Sequence, residues 1–427
     1  LTAAGGNLLI AGGRLIDPSA GIDGLCDVRI RDGIVAEIGQ HLKSEDGERF
    51  FDSRGCFVAP GFIDMHVHLR EPGFPEKETI ATGTRAAVRG GFTAVACMPN
   101  TEPSLDDPAI LTAVIASAED HGSCRVYPIA AITRGRLGKA MSDYRALVAA
   151  GAVAFSDDGA TVEDTDLLLR AAQSSGVAAP FISHCEDEAI KKGGVMNEGA
   201  TSRRMGVRGS PAIAEDVIVA RDLAVALETG KRWHIAHLTT ETGLDLLRAA
   251  KAQSDRISCE VTPHHLAFDD ELVATLGSAA KVNPPLRTQR DVAALRRGLR
   301  DGSIDVCATD HAPHTDAEKS LDLEHAAVGF SGLEVAAAAL AYAIPDLSIQ
   351  RFVEVLSSAP ARILDLPGGT LSPGSLGDVV VFVDEPWRVD PQAFASKGHV
   401  TPFAGLVLPR RIRATIVAGT VQHLAAS

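Results

Sequence analysis

Along most of this chain, short apolar runs alternate with longer Ala-rich stretches of helical period. The runs are Phe62–His68, Phe92–Met98, Arg125–Ile132, Ala152–Asp157, Pro180–Cys185, Trp233–Leu238, Ile257–Thr262 and Asp305–Thr309. Apolar runs of this length, bounded by turn residues, read as buried strands. Between them Glu78–Arg89, Thr165–Ser174, Ala214–Leu227, Glu241–Ala252 and Arg290–Arg300 read as helices with one apolar face. Eight such alternations predict an α/β fold, a TIM-like (β/α)8 barrel over residues 59–367. The competing doubly wound sheet calls for a phosphate loop, and neither a G-x-G-x-x-G nor a Walker sequence is present.

The two ends have a different texture. Near the start, Asn7-Leu-Leu-Ile-Ala11, Arg14-Leu-Ile-Asp17 and Asp27-Val-Arg-Ile-Arg31 are short strands, and Asp32-Gly33 marks a hairpin. Near the finish, Asp378–Asp384 and Arg411–Val421 are strand-like again. Segments 1–58 and 368–427 are therefore expected to close on each other as one small β-sandwich domain beside the barrel.

Composition narrows the function class. Aromatics make up only 4% of the chain, so the core must rest on Val, Ile, Leu and Ala. A net charge of −14 without a basic stripe argues against a nucleic-acid partner, and an anionic substrate would need a local positive site. The seven cysteines form no C-x-x-C and suit a reducing cytoplasm. No stretch reaches membrane-spanning length, and the opening residues lack the pattern of a signal peptide.

The chemistry gathers where a barrel keeps it, at the C-terminal ends of the strands. Reading off those ends gives His66 and His68, then Asn100, Asp157-Asp158, His184, His237, His264-His265 and Asp310-His311. A strand's period of two puts His66 and His68 on one face, and an extended continuation would add Arg70. Imidazole suits zinc and its neighbours, and a guanidinium suits a carboxylate. An isolated His-x-His is common, and any one of these residues alone is better read as a cap or core group. Together, four His and two Asp make the ligand set expected for two divalent ions. His264 and His265 are open between supporting the ligands and a purely structural place, and His311 reads as a supporting residue. His41, His121, His399 and His423 lie outside these segments and read as ordinary.

The segments His66-Val-His68-Leu-Arg-Glu-Pro-Gly73, Met98-Pro-Asn-Thr101, Ser156-Asp-Asp-Gly159, Ser183-His-Cys-Glu-Asp187, Ala236-His-Leu-Thr-Thr240, Glu260-Val-Thr-Pro-His-His265, Asn283-Pro-Pro-Leu-Arg287 and Thr309-Asp-His-Ala-Pro-His314 resemble, in order, the motif series of class I dihydroorotases of the amidohydrolase superfamily. The resemblance runs on to Thr401-Pro-Phe-Ala-Gly405. It implies one or two Zn2+ ions per subunit, with His66, His68 and Asp310 on one, His184 and His237 on the other, and Asp158 bridging. Asp157 is the second choice of bridge; relatives that use a carbamylated lysine differ here, since no lysine follows the fourth strand. It further implies that Arg70 and Asn100, assisted by His314, hold a substrate carboxylate, and that Asn283 and the Val328-Gly329 backbone meet the ring amide.

The activity so implied is reversible cyclisation of N-carbamoyl-L-aspartate to L-dihydroorotate in pyrimidine biosynthesis, using a metal-activated hydroxide and Asp310 as general acid/base. A homodimer and an association with aspartate transcarbamoylase are implied partners. The alternatives are a hydantoinase or allantoinase, against which Arg70 speaks, and a silent scaffold for the transcarbamoylase, against which the complete ligand set speaks. The polar segment 315–330 after the eighth strand is either a lid over the barrel mouth or a solvated connector.

Overall fold

A computed structural model describes residues 6–425. The reading of the opening residues 1–5 lies outside the described residues. Eight parallel strands run Phe62–Val67, Phe92–Cys97, Arg125–Ala130, Ala154–Ser156, Phe181–Ser183, Trp233–Ile235, Ile257–Val261 and Val306–Cys307, each beside its predecessor. The sheet closes on itself through a parallel bridge between Val67 and His311, where His68 N–H donates to the His311 carbonyl at 2.9 Å.

Alternation along these strands sorts the core into two shells. Ile63, Met65, Ala94, Ala96, Ile129, Ala154, Ile182, Val306 and Ala308 fill the barrel interior. Phe62, Phe92, Phe155, Phe181 and Trp233 face the outer helices. The helix Ala359–Leu364 sends Ala359, Ile363 and Leu364 into the same inner cluster. Most outer helices begin on side-chain caps, such as Thr79 before Ile80–Arg89 and Thr288 before Gln289–Asp301, while Ile213–Thr229 starts without one. The expected helices all form, with ends shifted by a residue or two, as at Ile213–Thr229 and Glu241–Lys251.

The terminal segments build two further sheets. One joins Ile34–Gly39, Asp27–Arg31, Leu8–Ala11 and Arg49–Asp52. The other joins Thr420–Leu424, Arg411–Val417, Val379–Val383, Phe57–Pro60, Arg14–Asp17 and Ile22–Leu25, so three strands from each end of the chain meet in one sheet, at the pair Val379–Val383 with Phe57–Pro60. Val379 and Val381 pack between the sheets with Leu8, Ile10, Val28 and Ile416. Val380 and Phe382, on the opposite face, pack into the barrel's outer core. That second burial explains why Val379–Phe382 reads as an unbroken apolar run: neither face meets water there.

All seven cysteines are unpaired. No helix among the described residues is long and apolar enough to cross a membrane.

Candidate metal centre and substrate site

His66 lies near the end of the first barrel strand, and His68 just beyond it. The strand stops at Val67, and Arg70 takes a left-handed conformation with φ 62°. Extended backbone therefore does not carry Arg70 onto the histidine face, as the period-two reading expected. The turn brings its buried guanidinium instead to the eighth-strand loop, where Nε donates to the Pro313 carbonyl at 3.2 Å and Nη2 lies 3.1 Å from His314 Nε2.

Two overlapping clusters form at the barrel mouth: His66, His68 and Asp158, and Asp158, His184 and His237, all buried. Asp158 Oδ1 is common to both. It lies 3.3 Å from His66 Nε2, 3.7 Å from His184 Nδ1 and 3.7 Å from His237 Nε2. Asp310 Oδ1 completes the first cluster at 3.0 Å from His68 Nε2 and 3.5 Å from His66 Nε2. Burial alone would raise the Asp158 carboxyl, but His66, His184 and His237 hold it well below the ordinary carboxylate range. Asp310 is likewise raised by burial and lowered further by His66, His68 and His237, so it too is ionised.

Outer partners decide which imidazole nitrogen faces inward. His66 Nδ1 meets Glu260 Oε1 at 2.5 Å, His68 Nδ1 meets Asn100 Oδ1 at 2.8 Å, and His184 Nε2 meets Glu186 Oε2 at 3.0 Å. Carboxylate and carbonyl oxygens only accept, so each of these nitrogens donates, which leaves the opposite ring nitrogen as the one that can give up its proton and offer a lone pair to a cation. His66 Nε2 and Asp158 Oδ1 are buried without any hydrogen-bond partner. An orphaned buried polar atom costs about 1–3 kcal/mol. Lone pairs on imidazoles and carboxylates converging on one point are the donor set a divalent ion satisfies.

A family model described as "Dihydro-orotase-like" matches residues 55–242. The dihydroorotase of Pelotomaculum thermopropionicum is 49% identical over 421 residues, covering 97% of this chain and 98% of that protein. The dihydroorotase of Anaeromyxobacter dehalogenans is 46% identical over 422 residues, again with 97% and 98% coverage. The chain belongs to the dihydroorotase family. Among solved structures, the L-hydantoinase of Arthrobacter aurescens superposes with a TM-score of 0.87 at 23% identity, covering 99% of this chain and 98% of that one. The D-hydantoinase of a Thermus species gives 0.81 at 24% identity, covering 98% and 97%. At that identity the likeness establishes the fold, a TIM-barrel architecture, and nothing finer.

Within this dihydroorotase-family barrel, the residues singled out in the sequence have distinct surroundings. Asp157 turns away from the histidines: Thr133 donates to it through its main chain at 3.0 Å and through its hydroxyl. Asn283 donates to Glu186 Oε2 at 2.5 Å, which ties it to the partner of His184. The Val328 carbonyl lies 2.9 Å from His314 Nε2, and Gly329 N–H donates to the Lys281 carbonyl at 3.0 Å, so both backbone groups already have protein partners. Gly329 sits at φ 111°, where a Cβ would meet that of Ala312 at 2.6 Å. His265 is held on both ring nitrogens, by Thr262 Oγ1 at 2.7 Å and the Pro284 carbonyl at 2.9 Å, which is a structural role. His311 is clasped between Gly332 N–H and the buried Glu78.

Sequence reasoning missed Glu186 and Glu260. Both lie inside segments quoted for their histidines, two residues after His184 and four before His264. For Glu260, a charged residue within the strand Ile257–Val261 was the available signal; Glu186 lies in the loop after Phe181–Ser183 and has none. It also missed how segment 315–330 is held. Thr315 caps a short helix, Asp316–Lys319, and two buried lysines anchor the residues beyond it. Lys281 Nζ donates to the Glu324 and Ala326 carbonyls at 3.1 and 2.8 Å, and Lys319 Nζ to the Ala327 carbonyl at 2.9 Å.

Proposed function

We propose that this chain catalyses the reversible cyclisation of N-carbamoyl-L-aspartate to L-dihydroorotate, the ring-forming amide step of pyrimidine biosynthesis. The observation that carries this reading is a buried guanidinium beside the His/Asp donor set: Arg70 at the rim, held by the Pro313 carbonyl and lying against His314, next to the two clusters. A neutral cyclic amide needs no such cation, whereas dihydroorotate carries a carboxylate.

His66, His68, Asp158 and Asp310 would hold one Zn2+, and His184, His237 and Asp158 a second. Bound there, such ions lower the pKa of water toward ~7 and polarise the amide carbonyl. The protein's own groups do the rest. Arg70, Asn100 and His314 seat the ring carboxylate and so aim the amide carbon at the clusters. Asn283 and the Val328-Gly329 peptides flank the ring amide, the latter exchanging their present protein contacts for the substrate. In hydrolysis Asp310 takes the nucleophile's proton and delivers it to the departing ring nitrogen, which leaves as a neutral ureido N–H. In cyclisation Asp310 takes the ureido proton as that nitrogen attacks the side-chain carboxylate carbon, and returns it to the departing oxygen, which leaves as hydroxide, the reverse of the hydrolytic step.

The reading extends to a cytoplasmic, homodimeric enzyme whose terminal segments, 1–58 and 368–427, form a β domain beside the 59–367 barrel. Aspartate transcarbamoylase is a candidate partner. The test is to assay dihydroorotate, hydantoin and allantoin side by side while measuring metal content. Dihydroorotate hydrolysis that rises with bound Zn2+ is expected. Hydrolysis of a hydantoin with none of dihydroorotate would overturn the substrate assignment.

A further inference from the structure

Below the candidate metal centre, four side chains inside the barrel form a hydrogen-bonded column, of which the proposed reaction uses only His66. His66 Nδ1 meets Glu260 Oε1 at 2.5 Å, Glu260 Oε2 meets His234 Nε2 at 3.2 Å, and His234 Nδ1 meets Ser258 Oγ at 2.8 Å. Ser258 and Glu260 are two apart on the seventh strand and share its inner face. His66, His234 and Glu260 are wholly buried. A carboxylate in such a place costs several kcal/mol unless its lone pairs are filled.

They are filled by three N–H donors, and two of those belong to candidate ligands. One is the ring of His66, from the first cluster. Another is the main-chain N–H of His237, from the second, which reaches Glu260 Oε1 at 3.3 Å. His237 sits at φ 29°, a backbone conformation that a side chain bearing a Cβ enters only at a cost, so a partner that holds it there matters. Because a carboxylate only accepts, its contact keeps the His66 proton on Nδ1. The lone pair of Nε2 then points at Asp158 and Asp310. At the lower end His234 donates through Nε2, so its Nδ1 accepts from the Ser258 hydroxyl.

We propose that Glu260 is the positioning residue of the metal centre: it sets the tautomer of His66 and pins the backbone of His237, with His234 holding Glu260 in place. This rests on the reading of His66 as a ligand. Glu260→Gln keeps the shape but can offer N–H to His66 Nδ1, which releases the Nε2–H form, a ring with no lone pair facing inward.

Zn2+ affinity of the apo protein, measured by competition with a chromophoric chelator, is expected to fall about 10–100-fold in Glu260→Gln. It should fall several-fold in His234→Gln, where the carboxylate stays and one donor geometry changes. In 15N-histidine-labelled apo protein, the His66 ring is expected to move from the Nδ1–H toward the Nε2–H form in Glu260→Gln, a shift that a loss of packing would not produce. Thermal unfolding of the apo proteins reports whether each variant folds. If Glu260→Gln fails to fold, His234→Gln decides, and wild-type Zn2+ affinity in it overturns the proposal. His66→Ala separates the two readings. Wild-type affinity in His66→Ala removes the ligand assignment itself. Weakened binding there, with unchanged affinity and tautomer in Glu260→Gln, leaves the ligand and overturns the role of Glu260.

Discussion

Arg70 is the residue on which substrate choice turns, and its replacement gives a sharp test. The guanidinium is buried, its Nε donates to the Pro313 carbonyl at 3.2 Å, and its Nη2 lies 3.1 Å from His314 Nε2, whose proton goes to the Val328 carbonyl at 2.9 Å. Those contacts fix its plane before any substrate arrives, so little ordering cost falls on binding. A hydrogen bond to a charged group contributes about 1.5–3 kcal/mol. At about 1.4 kcal/mol per decade, Arg70→Met should lower kcat/KM for dihydroorotate by about 10–150-fold. The control is 5,6-dihydrouracil, the same ring without the carboxylate, whose low rate should stay level. Arg70→Lys keeps the charge and loses the planar fork, so it should fall between. Initial hydrolysis rates on both substrates, at matched Zn2+ content, measure the ratio. An equal loss on the charged and neutral rings would refute the reasoning, because Arg70 would then support the fold or the metal centre and not read the carboxylate.

The same geometry sets three further outcomes. Asp310→Asn should retain part of the bound Zn2+ yet abolish turnover in both directions; substantial residual activity would remove Asp310 as the proton carrier. Asp158→Asn should lose Zn2+ measurably, whereas Asp157→Asn, whose carboxylate faces Thr133, should keep Zn2+ and lose about 1–3 kcal/mol of stability in denaturant titrations. Burial pushes the Glu334 carboxyl up to about 7 from 4.5, although Ser396 and Ala395 N–H and Arg89 hold it down. The folded state then binds more protons than the unfolded one across that window, so Glu334 costs stability as pH rises from about 4.5 to about 7, by at most about 3 kcal/mol. Glu334→Gln should flatten that part of the stability–pH curve, and an unchanged slope would show that the carboxyl titrates normally.

Much of the architecture is legible in one dimension because its signal is local. A run of six at Phe92–Cys97, apolar but for Thr93, reads as a strand by itself, and Thr165–Ser174 has one apolar face in any context. Strand ends carry chemistry in a barrel, so His66, His68, Asn100, Asp157-Asp158, His184, His237, His264-His265 and Asp310-His311 could be named from order and spacing, and family resemblance chose among them and added the roles. Less could be said of Arg70, because a single left-handed residue breaks the extended period and no pattern announces it.

By itself, then, the amino-acid sequence determined the order of elements, the barrel, and the residue types gathered at its mouth. Tertiary structure alone decided which atoms meet. Asp157 and Asp158 are neighbours of identical chemistry, yet one faces Thr133 and the other three imidazoles. Glu260 reaches His66 across 194 positions of sequence. Phe57–Pro60 finds Val379–Val383 from the far end of the chain. The physical reason is one of range. Apolar periodicity is written every two to four residues, whereas a buried proton or charge is settled by whatever partner the closed barrel brings within about 3 Å of it.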